Sequence, residues 1–240
     1  MKITVDTHSH TIMSGHAYSS MNEMIEAAKN KGLEALAITE HAPQMPGTCH
    51  EFYFQNYRVI PRKRGNMTLM VGAELNILDE NGTVDLSQGL LKMMDLTIAS
   101  IHRPCYGEGK SVEKNTGAYL RAMENPYIDI IGHPDDGRFP IDHEAFVNGA
   151  KKTNTLIELN NSSLQPGGFR ENTMENAKIL LELCKKEGVY ITTGSDAHIE
   201  FDVANFEYVR KLMEEVDFPE ELVATTSYEK LLGLLKRNRL

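Results

Sequence analysis

The stretch Ala35-Leu36-Ala37-Ile38-Thr39-Glu40-His41 passes from small and branched apolar residues into a carboxylate and a histidine. A short apolar run of this kind predicts a strand that is buried on both faces. Similar runs recur roughly every 30 residues with helical segments between them, which indicates repeated βα units and a parallel sheet. With this run included, the seven predicted strands span residues 3–8, 35–41, 68–75, 96–102, 128–133, 156–161 and 190–196.

The segments between the strands carry the periodicity of amphipathic helices. Ser20 and Glu23 form a capping box at the start of the first helix, and Gly32 predicts its end. We expect three such helices in an outer ring around the sheet. Their apolar faces comprise Met21, Met24, Ile25 and Ala28, then Ala177, Leu180, Leu181 and Cys184, and finally Tyr228, Leu231, Leu232 and Leu235.

The length of 240 residues and the 41% hydrophobic content fit a single α/β domain. Seven parallel strands with outer helices predict a TIM-like barrel, to which we assign residues 1–240. Two segments interrupt the repeat, 43–64 and 79–88, and we expect both of them above the barrel. Asn81-Gly82 in the second segment predicts a tight turn.

The formal net charge of −9 disfavours nucleic acid as a partner, because a chain without a basic stripe cannot replace the counterions of a phosphate backbone. The sequence has no apolar run near the ~20 residues that span a bilayer, and its first residues lack the pattern of a signal peptide. We therefore expect a cytoplasmic protein with a small substrate and no membrane contact. Cys49, Cys105 and Cys184 form no CxxC pair, so we expect reduced thiols.

Histidines and carboxylates gather at the C-terminal ends of the predicted strands. Because parallel strands point the same way, residues at these ends converge on one mouth of a barrel. His8-Ser9-His10 and Asp196-Ala197-His198 each place two such side chains on the same side of an extended backbone. The converging residues are His8, His10, His16, His41, Glu74, His102, His133, Asp196 and His198.

A hydrogen-bonded core imidazole explains any one of these histidines well. It does not explain the whole set, because crowded groups without a cation would lose hydration and, once protonated, repel each other. The set therefore predicts a metal centre. His50 and His143 lie outside the pattern and are excluded as ligands, and Cys105 has no signature of a nucleophile.

Several motifs occur in a fixed order: Asp6-Thr7-His8-Ser9-His10, Thr39-Glu40-His41, Gly72-Ala73-Glu74, His102, Gly132-His133-Pro134 and Gly194-Ser195-Asp196-Ala197-His198. Together they resemble the PHP (polymerase and histidinol phosphatase) family from one end of the chain to the other. The stretches 158–163 and 16–19 resemble its stand-alone, YcdX-like phosphatase branch. Family members often carry Asp where Glu40 stands, which leaves the role of Glu40 open.

The resemblance implies a distorted (β/α)7 barrel, a homo-oligomer and three divalent metal ions. One ion would be held by His8, His10, Glu74 and Asp196, a second by Glu74, His102 and His133, and a third by His16, His41 and His198. Imidazole-rich sites favour zinc, with manganese or iron as alternatives.

The activity that the resemblance implies is hydrolysis of phosphate monoesters. We expect Glu74 to bridge two ions that generate a hydroxide for attack on phosphorus, with Asp196 and His198 as the other catalytic residues. The leaving oxygen could take its proton from a metal-bound water, Asp6 or Glu40, but an Asp6 that orients a ligand imidazole is favoured.

Four residues beyond the strand ends are candidate contacts to a small phosphorylated substrate: Arg103, Arg138, Arg170 and Asn161. Arginine suits phosphate because its planar donors match two oxygens at once. Each of the three is explained equally well as a solvated surface arginine. Asn161 is explained equally well as a group that caps a loop.

Other functions stay open at this point. An amidohydrolase also carries an HxH pair and a late aspartate, although His16, Glu74 and the Asp196-Ala197-His198 motif favour the PHP family. A histidinol-phosphate phosphatase, a phosphodiesterase or nuclease of the same family, and a non-catalytic metal-binding PHP module are further alternatives. The filled ligand set disfavours the last of these.

Overall fold

A parallel sheet closes on itself in the structure, a computed structural model that describes residues 1–239. Leu240, the last residue of the predicted domain, lies outside the described residues. The strands are β1 (Val5–Asp6), β2 (Ala35–His41), β3 (Lys63–Arg64), β4 (Met67–Asn76), β5 (Leu96–Ser100), β6 (Ile130–Ile131), β7 (Leu156–Asn160) and β8 (Ile191–Gly194).

Seven of these strands pair in parallel in the order β1-β2-β4-β5-β6-β7-β8. The chain just beyond β1 and β8 closes the barrel, since Ser9 and Ala197 pair in parallel. The amide of Asp196 also donates to the carbonyl of His8 at 2.9 Å. The predicted TIM-like (β/α)7 fold is therefore confirmed.

Helices surround the sheet, and the first shows how local sequence sets its bounds. The Ser20 side chain accepts from the amide of Glu23, the predicted capping box is present, and Gly32 follows the helix with φ of 73°. The helices are α1 (Met21–Asn30), α2 (Glu51–Gln55), α3 (Gln88–Leu91), α4 (Arg103–Tyr106), α5 (Val112–Met123), α6 (His143–Thr153), α7 (Thr173–Glu187), α8 (Glu207–Glu215) and α9 (Tyr228–Leu234).

Two apolar layers pack on the two faces of the sheet. The outer layer includes the predicted faces of α1 and α7, for example Met24 and Leu180. The inner layer gathers the lower strand residues, such as Met70 and Ile98, around Leu231 and Leu235. The prediction of an outer-ring position was therefore wrong for α9, because periodicity identifies a buried face but not the layer that buries it.

Several strands beside candidate ligands are shorter than predicted, whereas β2 has its predicted bounds and β4 extends one residue further at each end. The predicted strands 128–133 and 190–196 contract to Ile130–Ile131 and Ile191–Gly194. His133 and Asp196 have φ of 28° and 55°, values that an extended strand does not adopt. Strained backbone conformations of this kind occur at functional sites, where the surrounding structure holds them in place.

The two interruptions of the βα repeat have different outcomes. The end of segment 43–64 does not stay above the barrel, because β3 pairs antiparallel with the first residues of β4. In segment 79–88 the predicted tight turn is confirmed: Leu78 donates to the carbonyl of Thr83 at 2.8 Å, and Gly82 has φ of 71°.

Two further sequence expectations can be compared with the structure. Cys49, Cys105 and Cys184 are free thiols, as predicted. Among residues 1–239, every helix is too short or too polar to cross a membrane.

Candidate metal centre

The carboxylate of Glu74 lies at the centre of a histidine cluster at the C-terminal mouth of the barrel. Because side chains alternate along β4, Met70, Gly72 and Glu74 point to the same face of the sheet. These three residues extend from the inner apolar layer at Met70 to the mouth at Glu74. Glu74 is 1% exposed. Its oxygens lie 2.8 Å from His41 Nδ1, 2.9 Å from His133 Nε2, 3.1 Å from His102 Nε2, 3.4 Å from His8 Nε2 and 3.5 Å from His10 Nε2.

Asp196 supplies a second carboxylate beside the same Nε2 atoms of His8 and His10. Its Oδ1 lies 3.3 Å from His10 Nε2 and 3.6 Å from His8 Nε2. It also lies 3.7 Å from His198 Nδ1. The carboxylates of Asp196 and Glu74 thus both lie close to the Nε2 atoms of His8 and His10.

His16 and His198 form the solvent-facing edge of the cluster. Their Nε2 atoms are 3.1 Å apart. The ring of His16 lies 4.9 Å from that of His41. The structure thus brings all nine predicted side chains together, although they come from loops and strands as far apart as residues 8 and 198.

Ligand-type atoms within 4.8 Å of one another form three groups: His8, His10 and Glu74; His41, Glu74 and His102; and His10, His41 and His198. The groups differ from the three implied sets in that His41 lies with Glu74 and His102 as well as with His198, His10 joins the third group, and His16, His133 and Asp196 are in none of them. Each group can accommodate an ion.

Several polar atoms of the cluster are arranged to bind a cation rather than to form hydrogen bonds with one another. Nε2 of His8 and Nε2 of His10 lie 3.0 Å apart, while the Nδ1 of each ring is engaged elsewhere. When both rings are neutral, as metal ligands must be, with their protons on Nδ1, the two Nε2 lone pairs face each other. Glu74 Oε2, His41 Nδ1 and His102 Nε2 are buried without a hydrogen-bond partner among the described residues. Buried polar atoms of this kind are costly unless an ion binds them.

Residues that were not predicted from the sequence bond to the second ring nitrogen of two candidate ligands and so fix their orientation. Glu158 Oε1 lies 2.7 Å from His8 Nδ1. Asn76 Oδ1 lies 2.7 Å from His102 Nδ1. Ligand imidazoles usually donate their second N–H in this way, which fixes the ring and its tautomer. Strand alternation could have found Glu158, which shares its face of β7 with the inward-pointing Leu156.

Glu40 acts on the cluster through Ser14. The Ser14 hydroxyl donates to Glu40 Oε2 at 2.6 Å and so accepts from His10 Nδ1 at 3.0 Å. Thr11 donates to the same carboxylate through its amide. Glu40 is therefore a positioning group, a role that the sequence left open.

Asp6 is occupied by the backbone around the mouth. Its carboxylate accepts from the amides of Ser195 at 2.9 Å, Ala204 at 2.9 Å and His8 at 3.4 Å. Burial raises the pKa of Asp6, and the bonds to Ser195 and Ala204 oppose that rise. Asp6 therefore supports the backbone around the mouth; among the described residues its hydrogen bonds go to amides and not to a ligand imidazole, the partner that was predicted.

The charges within the cluster shift its titration strongly. Although burial alone lowers the pKa of His8, the carboxylates of Glu158 and Glu74 raise it well above its ordinary value. Burial raises the pKa of Glu74, but the surrounding imidazoles of His102 and His8 bring it well below its usual range. Without metal, the cluster thus combines a protonated histidine with ionised carboxylates.

Of the predicted substrate contacts, Arg170 lies at the centre. Its Nη2 lies 3.1 Å from Asp196 Oδ2, and its side chain is 9% exposed. Arg138 pairs with Asp136 at 2.5 Å, and the exposed Arg103 pairs with Glu108.

Asn161 takes the alternative, capping role. Its Oδ1 accepts from the amides of Tyr208 at 3.0 Å and Val209 at 3.3 Å, in the first turn of α8. α8 has no capping bond from its own N-cap side chain, Phe206. Asn161 therefore stabilises the helix start from a distant loop.

Comparison with known proteins gives a consistent result. The PHP domain model matches residues 6–192. A probable phosphatase of Clostridium novyi is 44% identical over 236 residues, covering 98% of this chain and 96% of the relative. A probable phosphatase of Caldicellulosiruptor saccharolyticus is 46% identical over 236 residues, covering 98% and 97%.

A solved structure shares the fold. The histidinol phosphate phosphatase of Lactococcus lactis, complexed with zinc, L-histidinol and phosphate, superposes with a TM-score of 0.60. The match covers 90% of this chain and 94% of that chain at 18% sequence identity.

Proposed function

Because this chain belongs to the PHP domain family, we propose that it is a metal-dependent phosphatase that hydrolyses small phosphate monoesters. One observation carries the proposal: seven imidazoles and two carboxylates from six βα units meet at one mouth, and several of their ligand atoms have no hydrogen-bond partner within residues 1–239. The names of the curated relatives and of the structural neighbour support the same activity.

The donor set fits three divalent ions, and its imidazole content favours zinc over manganese or iron. Glu74 and Asp196 would hold an ion with His8 and His10, and Glu74 would share a second ion with His102 and His133. The third would be held by His16, His41 and His198. When bound, such ions lower the pKa of water to near neutrality and offset charge on phosphate oxygens.

The protein side chains prepare these ligands and keep them in place. Glu158 holds the proton of His8 on Nδ1, so the lone pair of Nε2 is directed to the centre and is available to a metal ion. Ser14 and Glu40 do the same for His10. Glu74 accepts a hydrogen bond from the Ser100 hydroxyl at 2.7 Å, which fixes the orientation of the carboxylate that the two ions would share.

Substrate would enter from the side of His16 and His198, the exposed edge of the cluster. Arg170, from the loop that follows β7, balances the charge of Asp196 and fixes its orientation. The buried histidines and Glu74 leave water little access behind the centre. This arrangement favours a phosphate group held at the mouth with its alcohol part directed outwards.

The test is elemental analysis of the purified protein together with a substrate panel before and after chelation. The panel contains p-nitrophenyl phosphate, small phosphomonoesters, histidinol phosphate, a phosphodiester and a cyclic amide. We expect metal-dependent release of phosphate from monoesters, lost on chelation and restored by zinc or manganese. Ring opening of the amide without phosphate release would show that the function is that of an amidohydrolase.

A further inference from the structure

A small cavity lies within the loop that follows β7, beside the candidate metal centre. Its volume is about 220 Å³. Pockets for drug-sized ligands usually measure roughly 300–1,000 Å³. The lining residues are Ser162, Ser163, Gln165, Pro166, Gly167, Gly168, Phe169 and Arg170. A group bound here must therefore be small.

Arg170 is the wall shared by this loop cavity and the metal centre. Its Nη2 lies 3.1 Å from Asp196 Oδ2, and its Nη1 lies 2.8 Å from Ser163 Oγ. Asp196 in turn lies within 3.6 Å of both His8 and His10. The loop cavity therefore lies directly beside the metal centre, within reach of the alcohol part of an ester bound there.

The free polar groups of the cavity are neutral. The hydroxyl of Ser162 and the side-chain amide of Gln165 have no hydrogen-bond partner within residues 1–239. The charge of Arg170 is balanced by Asp196. A hydroxyl and an amide both donate and accept, so they suit the hydroxyl groups of a substrate better than a second anion.

An aromatic ring stands at the rim of the cavity. Phe169 is 72% exposed and lines the cavity. The guanidinium groups of Arg138 and Arg170 lie 5.0 and 5.2 Å from its ring centroid and restrain it from two directions. The ring offers an apolar face beside the two free polar groups.

We propose that the loop cavity binds the alcohol part of the substrate, and that the substrates are phosphate monoesters of small hydroxylated compounds, either a polyol or a single sugar. Ser162 and Gln165 would bond to hydroxyl groups, and Phe169 would pack against the C–H face. This inference rests on the proposed phosphatase function and narrows its substrate class.

The experiment compares kcat and KM of the metal-loaded wild type, Ser162→Ala, Gln165→Ala and the double variant. The substrates are glycerol 3-phosphate, glucose 6-phosphate, AMP and p-nitrophenyl phosphate, the last of which carries no hydroxyl groups. Gln88→Ala, at an exposed glutamine of α3, is the matched control. Thermal melting verifies that each variant folds.

We expect the wild type to favour the two hydroxylated small esters over AMP. Each single substitution should raise KM for those esters about 3- to 10-fold with kcat little changed, the range expected for one lost hydrogen bond. KM for p-nitrophenyl phosphate should not change, and the control should match the wild type for every substrate.

Two results would overturn the inference while leaving the phosphatase function intact: higher kcat/KM for AMP than for both small esters, or equal effects of the substitutions on all substrates. Failure of the metal-loaded wild type to hydrolyse any of the four esters would overturn the proposed function itself, and the cavity assignment with it.

Discussion

Oε1 of Glu158 lies 2.7 Å from Nδ1 of His8, and this contact decides which nitrogen of the imidazole faces the metal centre. The other oxygen of the carboxylate accepts from the backbone amide of His133 at 2.9 Å. One residue of β7 therefore orients one candidate ligand by its ring and another by its backbone. A Cβ atom at Gly194 would collide with this carboxylate, which explains the glycine in that motif.

The first prediction concerns this contact. Glu158→Gln keeps the size of the side chain but has a single acceptor oxygen for three donors, His8 Nδ1, the His133 amide and Asn160 Nδ2, so at least one bond is lost. We expect zinc affinity to fall about 10- to 100-fold, as for other groups that orient ligand histidines. Competition with a fluorescent chelator measures the affinity. Glu175→Gln, on the exposed face of α7, is the control, and equal affinities in the two variants would contradict the assignment.

The second prediction concerns Glu74. Glu74→Gln preserves the packing but removes the negative charge that five imidazoles surround. We expect phosphate release to fall at least about a hundredfold, because the shared carboxylate is needed to hold two ions in place. Circular dichroism should show a folded barrel. Full activity with bound metal would exclude Glu74 as a bridging ligand.

Much of the site could be predicted because its ligands are marked by local sequence. His41 ends the apolar strand β2 and Glu74 lies near the end of β4. A parallel barrel brings strand ends together whatever their separation in sequence. The convergence of the nine side chains needed only the strand positions. Hence an error of one or two residues in a strand end did not affect the predicted site.

The supporting contacts could not be predicted in the same way, because each depends on a partner far along the chain. His8 and Glu158 are 150 residues apart. The early end of β6 follows from the left-handed backbone of His133, which the Glu158 carboxylate holds in place. The inner position of α9 depends on its packing against inner strand residues such as Met70 and Ile98, and the periodicity of α9 alone does not specify these partners.

The third prediction concerns metal uptake and pH. The carboxylates around His8 raise its pKa, so this residue is protonated near neutral pH in the metal-free protein. A metal ligand must be deprotonated, so binding should release protons and tighten as pH rises. Calorimetric titration with zinc in buffers of different ionisation enthalpy measures the release. Identical heats in all buffers would contradict it. Chelation should lower Tm, because bound ions stabilise only the folded state.

The fourth prediction separates Asn161 from the substrate contacts. Asn161→Ala removes the acceptor for the amides of Tyr208 and Val209. Loss of a helix-capping group costs about 1 kcal/mol, so the free energy of unfolding should fall by that amount. KM and kcat should stay at wild-type values. A raised KM with unchanged stability would restore the role of Asn161 as a substrate contact.

The fifth prediction concerns Lys236, which lies far from the metal ligands. Its ammonium group is buried against the carbonyls of Met123 and Asn125, and burial lowers its pKa to about 8. The unfolded chain, with a lysine pKa near 10.4, binds more protons between about pH 8 and 10. Lys236 should therefore stabilise the fold increasingly as pH rises through that range, whereas below it the buried charge is costly.

Lys236→Met removes this dependence while keeping an unbranched side chain. The free energy of unfolding of the wild type minus that of the variant should increase by on the order of 1–3 kcal/mol between pH 7.5 and 10. Taking the difference cancels the tyrosines and cysteines that titrate in the same range. Denaturant unfolding at several pH values measures it, and a difference independent of pH would mean that Lys236 titrates normally and is hydrated in the folded protein.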